Sequence, residues 1–197
     1  MFAFKAGASA FALAVALATA GAAHANETDE NSRNIAAALA AKTTLAQAVT
    51  AAERQGGGHG FKIALRDHDG SYAYKVKLIA SDGKVSEVSV DPATGKVLRS
   101  ETEGFFSRLF GESDGEAAKV NSAPTTLSAA IGIAEKQATG KAIEARYKAE
   151  DNTQQYRVAV AKDQAVRDVT IDAVTGKVLK IGAAGSGEHH DGDGEED

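Results

Sequence analysis

The chain of 197 residues has a formal net charge of −5 and contains no cysteine. The missing thiols exclude disulfides, thiolate metal sites and cysteine nucleophiles. Hydrophobic residues make up 43% of the chain and charged residues 25%, as in ordinary globular proteins. Without residues 1–25 and the acidic residues 188–197, positive and negative side chains balance. Because no basic excess attracts phosphate, the composition argues against nucleic-acid binding.

The first 25 residues have the pattern of a secretory signal peptide. Lys5 supplies a positive start, residues 10–20 form an apolar run, and Ala23-His24-Ala25 has the small-x-small form of a cleavage site. The apolar run is too short to span the roughly 30 Å of a bilayer core. The pattern predicts an exported protein whose mature chain starts near Asn26. The predicted location is the periplasm, with secretion from the cell as the second choice.

One short sequence motif occurs twice in the chain. Residues 91–98 read DPATGKVL and residues 172–179 read DAVTGKVL, which are identical at six of eight positions. A second phrase starts at Thr43 and recurs at Thr125, 82 residues later. Two copies of one unit are therefore predicted, at residues 43–100 and 125–182. Residues 26–42 form a polar and then alanine-rich lead-in.

Each copy begins with a pattern typical of an amphipathic helix. In the first copy the apolar side chains fall at positions i, i+3, i+4 and i+7, namely Leu45, Ala48, Val49 and Ala52. Thr44 and Gln47 have the spacing of a capping box, and three glycines at residues 56–58 end the helix. In the second copy the same stripe consists of Leu127, Ala130, Ile131 and Ala134.

The apolar period then changes from 3.6 to 2, which predicts four strands in each copy. In the third strand Val85 is out of phase with Val88, and Val166 is out of phase with Val169. This shared slip predicts a bulge or a bend. The predicted fold class is α+β, with two tandem repeats that each contain one helix followed by a four-stranded antiparallel meander. Each unit is small enough to be only marginally stable alone, so contact between the two is expected.

The linker at residues 101–124 is polar except for one apolar segment. Its large side chains are Phe105, Phe106, Leu109 and Phe110. One interpretation is a short helix that plugs a sheet or the gap between the repeats, because buried aromatic residues usually belong to a core. The alternative is an exposed anchor that binds a partner or docks on a membrane surface.

Residues 183–197 are rich in glycine and acids and are predicted to form a disordered tail. The tail holds the one dense group of metal-ligand types in the chain, including His189, His190, Asp191 and Asp193. These residues could hold a divalent cation weakly, since flexible ligands must be ordered on binding. The competing interpretation is an acidic end that keeps the protein soluble.

The order of helix, hairpin, strand and Asp-x-x-Thr-Gly-Lys-Val-Leu resembles the PepSY domain. The resemblance covers both copies, and the Thr-Gly-Lys-Val-Leu ending occurs at the right distance from each helix. PepSY domains are similar to a domain in the propeptides of thermolysin-like metallopeptidases. The resemblance implies a non-enzymatic module outside the cytoplasm that regulates or inhibits a peptidase. It implies no cofactor and supplies no catalytic residues.

The residues themselves provide little that could carry out catalysis. No His-Glu-x-x-His motif and no Gly-x-Ser-x-Gly elbow occurs in the chain. Residues 67–70 fit a hairpin turn better than a calcium loop, because the later calcium ligands are missing.

An open sheet could instead bind an extended peptide at its edge. The candidate edges are residues 96–100 and 177–181, with Val97 and Val178 as the binding residues. Alternatively, the two repeats could pair these edges with each other and leave neither free.

Overall fold

The computed structural model describes residues 32–68, 71–105, 114–150, 153–163 and 165–184. In the first half of the chain these residues form α1 (Ser32–Ala40), α2 (Leu45–Gly56), β1 (His59–His68), β2 (Ser71–Ile79), β3 (Lys84–Val90) and β4 (Val97–Phe105). In the second half they form α3 (Asp114–Ser122), α4 (Leu127–Ala138), β5 (Lys141–Glu150), β6 (Thr153–Lys162), β7 (Ala165–Asp172) and β8 (Val178–Ala183). Each repeat is one helix followed by four strands, as predicted.

The eight strands form one antiparallel sheet in the order β4-β3-β2-β1-β5-β6-β7-β8. The two predicted four-stranded meanders are therefore two halves of one sheet rather than two sheets, because β1 of the first repeat pairs with β5 of the second. Ile63 pairs with Ala145, its own counterpart 82 residues later. The two repeats thus meet like two copies of one domain across a twofold axis. This pairing satisfies one edge of each meander and leaves β4 and β8 as the two ends of the sheet.

The helices α2 and α4 lie side by side on one face of the sheet, which we call the helix face. The predicted stripe of α2 is fully buried there, and so is the stripe of α4. Both stripes share one core with alternate residues of the central strands, including Ile63, Val76, Val158 and Val169. The core crosses the seam between the repeats, because Leu127 of α4 lies against Gly60 of β1.

The slip in the third strand has a different cause from the one predicted. The register of β3 against β2 runs without a break from Tyr74 opposite Val90 to Ile79 opposite Val85. Val85 is out of phase because it points to the other face, where it packs against Val120 of α3. The register of β7 against β6 is also unbroken. The prediction of a bulge in the third strand is therefore wrong, and the irregularities lie in the neighbouring β4 and β8.

Helix α3 lies in the linker, on the face opposite α2 and α4, which we call the open face. Its Val120 packs on Phe61, Ile79 and Val85, and the Asn121 side-chain amide donates to the Ala80 carbonyl at 3.0 Å. Helix α1 lies in the alanine-rich part of the lead-in. Within the described ranges no single helix is long and apolar enough to cross a membrane, although α1 and α2 together would be so as a pair bent by 81°.

Candidate partner-binding edges

The repeated phrase forms the turn that leads into each edge strand. In the first copy the Asp91 carboxylate accepts hydrogen bonds from the backbone N–H groups of Ala93 and Thr94, at 2.7 and 2.8 Å. Gly95 has φ +71°, a left-handed conformation that glycine adopts without a steric penalty. The second copy repeats this geometry through Asp172 and Gly176, with φ +69°. The phrase is therefore a rigid turn with an aspartate at its start.

Each turn is also tied to the start of its helix. The Thr43 N–H donates to the Pro92 carbonyl, and the buried Tyr74 hydroxyl donates to the Thr43 carbonyl at 2.9 Å. The second repeat has the same two bonds, from Thr125 to Ala173 and from Tyr156 to Thr125. These bonds position the first residue of each edge strand relative to α2 and α4.

The ionisable groups of these turns act as structural donors and acceptors. Burial raises the pKa of Tyr74 to about 12, and burial likewise raises the pKa of Tyr156. Both hydroxyls stay protonated at neutral pH and donate their hydrogen bonds. The backbone N–H of Thr94 is the main cause of a lowered pKa at Asp91, and that of Thr175 at Asp172. Both aspartates are therefore ionised at neutral pH, as their acceptor role requires.

The lowered pKa values of Asp91 and Asp172 predict a loss of stability in acid. Folding lowers each pKa, so the stabilisation is present above the ordinary value of 3.8 and is lost as pH falls through the lowered value. The Asp91→Asn, Asp172→Asn double variant should lose less unfolding free energy between about pH 5 and about pH 2 than the parent. Denaturant titrations at several pH values measure this. Equal pH slopes for the two proteins would contradict the assignment.

The first residues of the two edge strands lie at equivalent places. Val97 and Val178 are half-buried and pack against the shared core on the helix face. The next residue in each strand has no cross-strand partner, because the register jumps from Val97 to Arg99 and from Val178 to Lys180. These unpartnered bulge residues are leucines, Leu98 and Leu179, and they are 59% and 54% exposed.

The two edges differ in how well they are protected against pairing. Strand β4 has a second register break, and Arg99 forms an ion pair with Glu101 along the strand. Bulges and charged side chains are devices that block pairing at a sheet edge. Strand β8 has a single break and carries a second exposed apolar residue, Ile181, at 43% exposure. The β8 edge is therefore the more open one.

A groove lies beside the turn of the first repeat and was not predicted from the sequence. It has a volume of about 490 Å³ between α2 and the turn, with Thr43, Gln47 and Thr94 in its lining. In the second repeat Ile133 stands where α2 has Ala51, and its Cδ1 comes close to Gly176. The signal in the sequence was the set of exchanges between the two helices on this side, among them Ala51 against Ile133 and Gln47 against Ala129.

Of the other predicted site residues, only the backbone of Phe105 belongs to the part of the chain that the structure describes. Phe105 ends β4, where its backbone is opposite Lys84. The described ranges do not include Phe106, Leu109, Phe110, His189, His190, Asp191 or Asp193. Among the residues that the structure does describe, no group of three His, Asp or Glu side chains could hold a metal ion. The apolar anchor and the metal site of the tail stay predictions.

Comparison with known proteins identifies the repeated unit. The sequence model of the family described as "Peptidase propeptide and YPEB domain", or PepSY, matches residues 42–101 and 125–181, which is more than half of the chain. A search of curated proteins found no match. Among solved structures, a candidate lipoprotein of Clostridium difficile is similar, with 22% sequence identity and a TM-score of 0.43. The alignment covers 72% of this chain and 93% of that one.

Proposed function

Because this chain belongs to the PepSY family and contains the domain twice, we propose that it is a non-enzymatic module of the cell envelope that binds an extended segment of a peptidase. The observation that carries the proposal is the position of β8 at the end of the described sheet, with Leu179 and Ile181 exposed on it. An extended peptide can add to such an edge through backbone hydrogen bonds, while apolar side chains provide specificity. A domain related to peptidase propeptides suits a partner of this kind.

The location that we propose is the periplasm. Residues 1–25 have the pattern of a cleaved signal, and family membership agrees with an exported or envelope protein. Intact mass of the exported protein tests this point directly. A mature chain that starts near Asn26 is expected, and a chain that retains Met1 would contradict it.

Binding at one edge rather than both follows from the protection of β4. Strand β4 has two register breaks and an ion pair along its length, whereas β8 has one break and no ion pair among its described side chains. A partner strand that pairs with β8 would cover Leu179. Full burial of a leucine contributes about 1.5–3 kcal/mol, so this side chain should account for a large part of the affinity.

We expect Leu179→Glu to weaken binding of the partner peptidase by roughly ten-fold to a hundred-fold, since each 1.4 kcal/mol is a factor of ten. The partner is first identified by a photo-crosslinking amino acid at position 179 in the exported, full-length protein. Leu98→Glu on β4 should change the affinity less. Leu39→Glu, at a residue 37% exposed on α1, is the matched control and should leave it unchanged.

Proline substitutions test the backbone pairing itself. Proline removes an N–H donor and is poorly tolerated where a strand must pair on both sides. A Val97→Pro, Val178→Pro double variant should bind the partner more weakly, provided that circular dichroism shows the fold intact. Unchanged binding by a folded double variant would rule out both edges, and attention would move to residues 105–110.

A further inference from the structure

The open face carries cations that the composition of the chain does not reveal. Four of them lie on the adjacent strands β2, β1, β5 and β6. Each is the direct cross-strand neighbour of the next, in the order Lys77, Lys62, Arg146 and Arg157. We call them the cation row. All four side chains are half-buried. Like charges placed directly opposite each other destabilise a sheet, so the row favours a compensating anion.

The described carboxylates of this face compensate the row in part, since Glu87 lies directly opposite Lys77. The Lys75 ammonium on the same face has its own ion pair, with Glu87 at 3.0 Å. Among the residues that the structure describes, no ion pair involves the side chain of Lys62, Arg146 or Arg157. Three of the four cations therefore have no carboxylate partner in this part of the chain.

A cavity of about 190 Å³ opens between the two arginines of the row. Its lining consists of Arg146, Arg157, Glu144, Ala159 and Asp168. Two carboxylates thus share the cavity, but neither arginine forms an ion pair with them. The guanidinium groups are left with donors that could hold further carboxylates in bidentate hydrogen bonds.

The duplication of the chain indicates which segment covers this face. In the first repeat the segment that follows edge strand β4 returns over the open face as α3, where Val120 packs on Ile79 and Val85. The counterparts of Ile79 and Val85 in the second repeat are Ala161 and Val166. Residues 184–197 follow edge strand β8, and the acidic residues of this segment begin at Glu188.

We propose that residues 188–197 lie on the open face of the second repeat, with their carboxylates bound to Arg146 and Arg157. This acidic segment contains Glu188, Asp191, Asp193, Glu195, Glu196 and Asp197, whose six negative charges complement the cation row. The inference goes beyond partner binding at the β8 edge and does not depend on it.

The length of the acidic end allows this placement. An extended chain spans at most about 3.3–3.6 Å per residue, so the 13 residues after Ala184 reach roughly 40 Å. Four strand spacings of about 4.8 Å separate β8 from β1, which is roughly 20 Å across the sheet. Even Lys62, on the far side of the two arginines, is within reach.

Paramagnetic broadening tests the position of the acidic segment in the full-length chain. The chain has no cysteine, so Gly194→Cys provides one attachment site for a nitroxide label and removes none of the six acids. At low salt we expect loss of amide signal intensity in β5 and β6, around Arg146 and Arg157. The intensity should return near 1 M salt, where the Debye length is about 3 Å. Undiminished β5 and β6 signals at low salt would overturn the proposal.

Two variants show whether the cation row is responsible. Arg146→Gln with Arg157→Gln should restore the amide intensities at low salt, and it should not harm folding because it relieves a like-charge contact. Arg54→Gln with Lys136→Gln makes the same change of charge on the helices and should leave the broadening in place. Persistent broadening in the folded Arg146, Arg157 variant would mean that another surface holds the segment.

The same label distinguishes this chain's own segment from that of a second copy. Spin-labelled protein without ¹⁵N is mixed with ¹⁵N protein that carries no label. No broadening is expected in the mixture. Broadening there would show that the open face binds the acidic segment of a neighbouring copy, which would overturn the proposal in its intramolecular form.

Discussion

Leu127→Ala should lower the free energy of unfolding by about 2–5 kcal/mol and shift both repeats together. Leu127 is 1% exposed, and its side chain reaches from α4 across the seam to Gly60 of β1. The cavity would therefore open between the two repeats rather than inside one. Since a typical domain has a total stability of 5–15 kcal/mol, the loss is a large part of it.

Denaturant unfolding followed by two probes measures this effect. Circular dichroism reports the whole sheet, and a single tryptophan that replaces Tyr147 in each protein reports the second repeat, because the chain has no tryptophan of its own. One shared transition at a lower midpoint is expected for Leu127→Ala and for its counterpart Leu45→Ala, which is 0% exposed. Leu98→Ala removes the same atoms from a side chain 59% exposed and should change stability by less than about 0.5 kcal/mol. Two separate transitions, only one of which moves, would show that the repeats fold independently.

The local features of the fold could be read from the sequence. Contacts between near neighbours in the chain determine the apolar stripe of α2 and its capping box at Thr44 and Gln47. They also determine the order of the strands along the chain. The Asp-x-x-Thr-Gly turn could be predicted for the same reason. The aspartate accepts hydrogen bonds from its own downstream backbone, and glycine adopts a positive φ without strain. The apolar stripe, the strands and the turn recur in the second copy, which supported the first, whereas the capping box does not recur because Ala129 replaces Gln47.

The join between the repeats could not be predicted in the same way. Strands β1 and β5 have the same apolar alternation as their neighbours, and nothing local distinguishes a strand that pairs across the seam from one at an edge. The sequence therefore left two outcomes open, free edges or edges paired between repeats. The structure shows that the candidate strands β4 and β8 do not pair with each other and remain at the ends, because the repeats pair through β1 and β5 instead.

The open face was missed because its features depend on the register of several strands. The residues of the cation row are spread over 96 positions of the chain. A count of charges includes them in a total that is close to zero once residues 1–25 and 188–197 are left out. Helix α3 was missed because few of its residues are apolar, and Val120 is the buried apolar residue among its described side chains. The sequence pattern predicts a slip in phase at Val85, whereas in the structure α3 covers this residue.

We expect a second large effect on stability from a substitution at Gly140. This glycine precedes β5, the first strand of its meander, and lies in close contact with β6, the second strand. A Cβ at Gly140 would collide with the Ala161 carbonyl oxygen and lie 2.8 Å from Val160 Cγ1. Its counterpart Gly58 makes the same approach, 2.7 Å from the Ile79 carbonyl oxygen, and also has φ +150°. Backbone atoms of a central strand cannot move aside easily, so Gly140→Ala should destabilise the fold by roughly 1–3 kcal/mol.

The matched control for Gly140→Ala is Gly132→Ala in the interior of α4, which makes the same chemical change. No atom lies within 4 Å of a Cβ at Gly132, and alanine is favoured over glycine in a helix by about 0.5–1 kcal/mol. Gly132→Ala should therefore raise the midpoint of thermal unfolding while Gly140→Ala lowers it. If both variants raised it, the packing of residue 140 against Ala161 would be looser than the structure shows. The opposite signs follow from the surroundings of each glycine, a helix with open space at Gly132 and a close backbone contact at Gly140, because both changes add one methyl group in the second repeat.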